Sequence, residues 1–176
     1  QIITKHAVEL LPERGGEVLS SLSKDALKIS VLERHHGSGD GSVGFVRGFG
    51  LKRGAISTSI NHDSHNIITV GVSSEDMSKA VNHLIELDGG IVVYDPDSGF
   101  SSLPLPYGGL MTDASPANVA EHIDVLKAAT KRLGCLLSEP FLQLSFLALP
   151  VIPTLKITDQ GLVDVVRRKK ISVALN

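Results

Sequence analysis

Apolar positions along this chain alternate between strand-like and helical spacing, and the changes divide it into elements. Residues 2–11 and 26–32 are apolar-rich and strand-compatible, with Pro12 to Gly16 as a break between them. Residues 43–49, 55–60 and 67–72 follow as short runs rich in β-branched or aromatic side chains. Glycine-rich or polar connections join them, the pattern of neighbouring, largely antiparallel strands. The period then becomes helical. Met77, Ala80, Val81, Leu84, Ile85 and Leu87 recur behind Ser73-Ser74-Glu75-Asp76, and Gly89-Gly90 ends the run. Residues 91–94 return to strand, and Asp95-Pro96-Asp97-Ser98-Gly99 predicts a tight turn. A second helix opens at Ser115-Pro116, carries Val119, Ile123, Leu126 and Leu133 on one stripe, and closes at Gly134. Residues 141–149 form a continuous apolar run between two prolines and predict a buried strand. About two helices among many strands imply an α+β fold: a mixed, largely antiparallel sheet with the helices packed on one face.

Composition narrows the class. The 176 residues fall within the range of one domain and show no repeat, linker or low-complexity segment. With 42% hydrophobic residues, 20% charged residues and a net charge of −2, the chain is globular rather than disordered. That balance argues against nucleic-acid binding, which rewards a concentrated basic surface. The one basic run, Arg167-Arg168-Lys169-Lys170, reads as the solvated face or end of a last strand. A single cysteine, Cys135, excludes an intrachain disulfide and a cysteine-only zinc cage, and is expected in the core. No apolar run approaches a membrane span and no secretory pattern opens the chain, so the expected location is cytoplasmic. The chain starts at Gln1 within an apolar run rather than at a methionine, which predicts a fragment of something longer.

Candidate chemistry concentrates between His35 and Gly71, which hold four of the seven histidines. The run His62-Asp63-Ser64-His65-Asn66 lies between two apolar strands. Imidazoles and a carboxylate suit zinc, manganese or iron, although a metal site built from this loop alone has too few ligands. The same residues offer donors and acceptors to a polar heterocycle. Equally, Asp63, Ser64 and Asn66 satisfy loop backbone groups in many folds. Glu33-Arg34-His35-His36 ends another strand before Ser38-Gly39-Asp40-Gly41. That glycine loop lacks the Gly-Lys-Ser/Thr ending of a phosphate loop and does not open a helix. Ser57 and Ser59 alternate on a strand with no adjacent base, so a nucleophilic serine has little support.

Three segments carry a resemblance. VLERHHGSGDGSVGFVRGFGLKRGAISTSINHDSHNIITVG, LPLPYGGLMTD and FLQLSFLALPVIPTLKITDQGLVDV, spanning residues 31–165, resemble the C-terminal domain of bacterial and archaeal adenine deaminases of the amidohydrolase superfamily. Asn61, Tyr107 and the basic tail after Val165 depart from the family's pattern. The resemblance implies a parent enzyme of purine metabolism that hydrolyses adenine to hypoxanthine and ammonia. It implies a binuclear manganese or iron centre held in a (β/α)₈ barrel, whose motifs these residues do not contain and whose eight βα units do not fit in them. The chain would then pack on that barrel and would be inactive alone. Candidate active-site-facing residues are Arg34, His35, His36, His62, Asp63, Ser64, His65 and Asn66. No metal or cofactor is expected in the chain itself, and no nucleic acid or membrane as partner. Two alternatives stand beside this reading: a scaffold or homo-oligomer module, and an independent metal hydrolase built from His35, His36, His62, Asp63 and His65.

Overall fold

The computed structural model describes residues 3–174. Residues 3–12 run extended over the surface without joining a sheet. Thr4 fastens them, its N–H donating to the Pro153 carbonyl at 3.1 Å and its hydroxyl to that of Leu155 at 2.7 Å. The strand expected over 2–11 is therefore absent over 3–11, and Ile2 lies outside the described residues. Val8 and Leu10 remain exposed, so the apolar character of this run does not reflect a buried strand face. A small hairpin follows, β1 (Glu13–Arg14) with β2 (Glu17–Val18), and then a 3₁₀ turn at Leu22–Lys24.

The centre is a six-stranded sheet of β3 (Ala26–Leu32), β4 (Gly41–Arg47), β5 (Ala55–Thr58), β6 (Ile67–Gly71), β7 (Gly90–Asp95) and β8 (Gly99–Pro104). The spatial order is β4-β3-β6-β5-β7-β8. Every pairing is antiparallel, so the mixed component expected from sequence does not occur among the described strands. Strand periodicity sends alternate residues to opposite faces. Leu27, Ile29, Val31, Ile56, Ile68, Val70, Ile91 and Val93 face one core; Ala55, Ile67, Val92 and Tyr94 face another. This is why β6 and β7 read as nearly continuous apolar runs: both sides of the sheet are covered.

The helix α1 (Ser74–Glu86) covers the second face through Met77, Ala80, Val81 and Leu84. Its N-cap is Ser73, whose hydroxyl accepts the Asp76 N–H at 3.0 Å. Opposite it lie α2 (Pro116–Arg132) against β7 and β8, α3 (Pro140–Leu147) against β5 and β6, and a second sheet against β3 and β4. That sheet, ordered β11-β10-β9, comprises β9 (Leu155–Thr158), β10 (Gly161–Asp164) and β11 (Lys169–Ile171). The α+β class holds, with helices on both faces rather than one.

Residues 141–149 are the other correction, since they form α3 and its exit rather than a strand. Pro140 at the first helical position removes an N–H that no helix would use, and the Gln143 N–H bonds the Glu139 carbonyl at 3.0 Å. Leu144 is fully buried while Leu142 is half exposed, so the helix has one covered side despite its largely apolar sequence. The basic run 167–170 supplies the exposed turn and start of β11, and Cys135 is buried in the first core.

Candidate functional site

Strand register places the chemistry at one end of the large sheet. Leu32 pairs with both Gly41 and Ile67, Thr58 with Ile68 and Ile91, and Gly90 with Pro104. The connections 33–40, 59–66, 87–89 and 105–115 therefore emerge side by side. Every sequence-predicted site residue lies in the first two of these. The β9–β10 turn, Asp159-Gln160, joins them to line two adjoining open grooves of about 440 and 460 Å³.

Glu33 organises the 33–40 loop. Its carboxylate accepts the backbone N–H of His35 at 2.5 Å and of His36 at 3.0 Å, and the Ser38 hydroxyl at 3.3 Å. Burial pushes its pKa up, but the His36 and His35 amides outweigh that and hold it at about 2. His35 reaches across, its Nε2–H donating to the Ser64 carbonyl at 2.6 Å. His36 stays exposed beside Glu33, 3.2 Å from Nδ1 to carboxylate.

In the 59–66 loop, His62 stacks on Phe146 of α3 with ring centroids 4.1 Å apart. Asp63 and Ser64 are exposed at the groove, and His65 turns the chain through the left-handed region at φ +53°. Asn61 donates its Nδ2 to the Asn66 carbonyl, closing the loop's base. Among the described residues, three buried side-chain atoms lack a hydrogen-bond partner: Asn61 Oδ1, His65 Nδ1 and Asn66 Oδ1. All three belong to this one loop. Buried polar groups are ordinarily satisfied, and each unmet one costs about 1–3 kcal/mol.

Arg34 stands between the loops. Its Nε donates to the His65 carbonyl at 2.5 Å and its Nη2 to the Gly108 carbonyl at 2.6 Å. Burial lowers its pKa. Ser59 and the Gly108-Gly109 pair complete the arrangement and were not assigned chemistry from sequence. Ser59 Oγ accepts the Gly90 N–H at 2.8 Å and donates to the Gly109 carbonyl at 2.6 Å. The signal for the pair was its place in LPYGGLM, where adjacent glycines mark backbone that side chains would obstruct.

The donor set does not fit a metal ion. Among the described residues no three histidine, cysteine, aspartate or glutamate side chains converge as ligands. His35 is spent on a carbonyl and His62 on a ring stack, so the five residues of the metal-hydrolase alternative do not form a cage. Both candidate serines are committed as well, Ser57 to Thr69 at 2.7 Å and Ser59 as above. What the cluster offers is hydrogen bonding: unmet acceptors, an imidazole and exposed carboxylates beside a groove.

Among the described residues no helix is long and apolar enough to cross a membrane. Comparison with known proteins gives a match over residues 1–169 to the family described as "Adenine deaminase C-terminal domain". A protein named adenine deaminase from Methylobacterium sp. (strain 4-46) is 50% identical over 169 residues, which is 96% of this chain and 30% of that protein. Another of that name, from Methanothrix thermoacetophila, is 49% identical over 94% of this chain and 29% of its own length. One from Brucella anthropi is 53% identical over 81% and 25%. The chain thus spans 25–30% of the length of these relatives, and it belongs to the adenine deaminase C-terminal domain family.

Proposed function

We propose that this chain is the C-terminal part of an adenine deaminase and that its loop end seats against the catalytic portion of the enzyme. In the reaction, water adds its oxygen to the purine carbon bearing the amine and the nitrogen leaves as ammonia, converting adenine to hypoxanthine in cytoplasmic purine salvage or catabolism. We assign the manganese or iron that would supply the activated water to the portion outside this chain, a reading supported by the lack of a convergent ligand set among the described residues. The chain's own residues supply hydrogen bonds and exclude water at the mouth of the site.

The observation that carries this reading is the collection of unmet polar atoms in the 59–66 loop. A loop that served only to join β5 and β6 gains nothing from three buried, unsatisfied groups. A loop completed by substrate, ordered water or a neighbouring domain does. The tests are Asp63→Ala and His65→Ala in the full-length enzyme carrying this segment. The expected result is a fall in kcat/KM of about tenfold or more, equivalent to roughly 1.4 kcal/mol of transition-state binding, with the fold retained. Unchanged kinetics and stability in both variants would leave assembly as the function. For that alternative the exposed Leu136, Leu142 and Val151 are among the available apolar side chains.

A further inference from the structure

Arg34 is a partly buried cation that forms no ion pair among the described residues. Its two short hydrogen bonds go instead to backbone carbonyls on different loops, His65 in 59–66 and Gly108 in 105–115. The third nitrogen, Nη1, lies against Gly109. A Cβ at Gly109 would stand 3.0 Å from Arg34 Nη1 and 3.0 Å from Ser59 Oγ, and Gly108 and Gly109 sit at φ +67° and +74°. Glycine at 109 therefore allows the guanidinium and Ser59 to reach the same stretch of backbone. The segments around Arg34, His65 and Gly108, far apart in sequence, meet at one side chain.

We propose that Arg34 is the positioning residue of this site, fixing the 59–66 and 105–115 loops relative to each other through the shape of its guanidinium. The rigid planar fork holds Nε–H and Nη2–H in fixed directions, so a single side chain can satisfy carbonyls arriving from two loops. An ammonium carries the same charge from a single point and does not reproduce that geometry. By holding the His65 carbonyl, Arg34 sets the left-handed turn that orients His65 and its neighbours Asn61 and Asn66. The inference deepens the reading above and rests on it for its catalytic consequence. It also gives Arg34, an active-site-facing candidate from sequence, a specific role: control of the loop residues beside it.

The test uses the full-length enzyme with Arg34→Ala and Arg34→Lys, followed by amide hydrogen exchange of residues 61–66 and 107–111 beside kcat and KM for adenine. Arg34→Lys keeps the charge and the stem, so it reports even where the alanine variant folds poorly. Expected are faster exchange in both segments for both variants and a loss of roughly tenfold to a hundredfold in kcat/KM, carried mainly by kcat. Guanidinium chloride at a sub-denaturing concentration restores protection and activity to the alanine variant, and ammonium chloride at the same concentration does not. Unaltered exchange in Arg34→Ala overturns the proposal, and so does an Arg34→Lys enzyme that behaves as the parent. Loosened loops with undiminished deamination uphold the positioning role and remove the active-site reading, so the two ideas fail separately.

Discussion

Glu33 and Asp95 are both held ionised in the fold, by different donors. Arg53 grips Asp95 with Nε at 2.8 Å and Nη2 at 3.0 Å and draws its pKa from 3.8 to about 2. At Glu33, burial acts upward but backbone amides prevail, and the value falls from 4.5 to about 2. In each case the folded value lies below the unfolded one. The stabilisation is complete above the unfolded pKa and is lost as pH falls through the folded one. The urea midpoint is therefore expected to hold above about pH 5 and to drop from about pH 4.5 towards pH 2. Arg53→Met flattens the Asp95 share of that drop, and a mutant curve parallel to the parent's would remove the pair from the account. Gly109→Ala is expected to destabilise by about 1–3 kcal/mol, because it forces a side chain into left-handed backbone beside Arg34 and Ser59. Thermal melting measures it.

Elements differ in how openly the sequence announces them. The strand β3, the β6 run and the helix α1 were readable because a single feature decided each: β-branched runs between turn residues, or a helical stripe behind Ser73. Residues 3–11 and 141–149 depart from expectation for separate reasons: the first run is exposed despite its apolar content, and the second has no period that tells a short helix from a strand. Pro140 was the usable signal for α3, since proline opens helices as well as bounding strands. The short strands β9 to β11 carry Lys156, Lys169 and Lys170 and offer no alternation long enough to register. The 62–66 loop was legible as a polar interruption between apolar strands. Arg34's role was not, because its partners are backbone carbonyls that any residue possesses. For α3, Leu144→Ala removes a fully buried side chain and is expected to cost about 2–5 kcal/mol by urea denaturation. At the start of α1, Ser73→Ala gives up the bond to the Asp76 N–H and costs about 1 kcal/mol. A much smaller loss at Leu144 would mean that α3 is not held in the core.

At the scale of the molecule, the division of labour follows from what each part can hold. A large antiparallel sheet, covered on both faces, supports four loops at one end, and those loops present hydrogen-bonding groups without a convergent metal-ligand set among the described residues. On the proposed reading the activated water that hydrolysis of an aromatic amine demands is made elsewhere in the enzyme: at this site His35 is engaged with a carbonyl, His36 with a carboxylate and His62 with a ring, while His65 Nδ1 stays unmet. Relatives named adenine deaminase have about 70% of their length outside the matching region, room enough for a catalytic barrel. The purified chain, incubated with adenine and added manganese or iron, is accordingly expected to give no hypoxanthine by ultraviolet absorbance, while a full-length relative under the same conditions does. Adding a relative's catalytic portion in trans extends the test. Turnover raised by this chain, and raised less by its His65→Ala variant, would show that the loop end completes the site. Metal-dependent turnover by the chain alone would instead require His35, His36, His62 and His65 to rearrange into a ligand set, and would make those loops the catalytic centre.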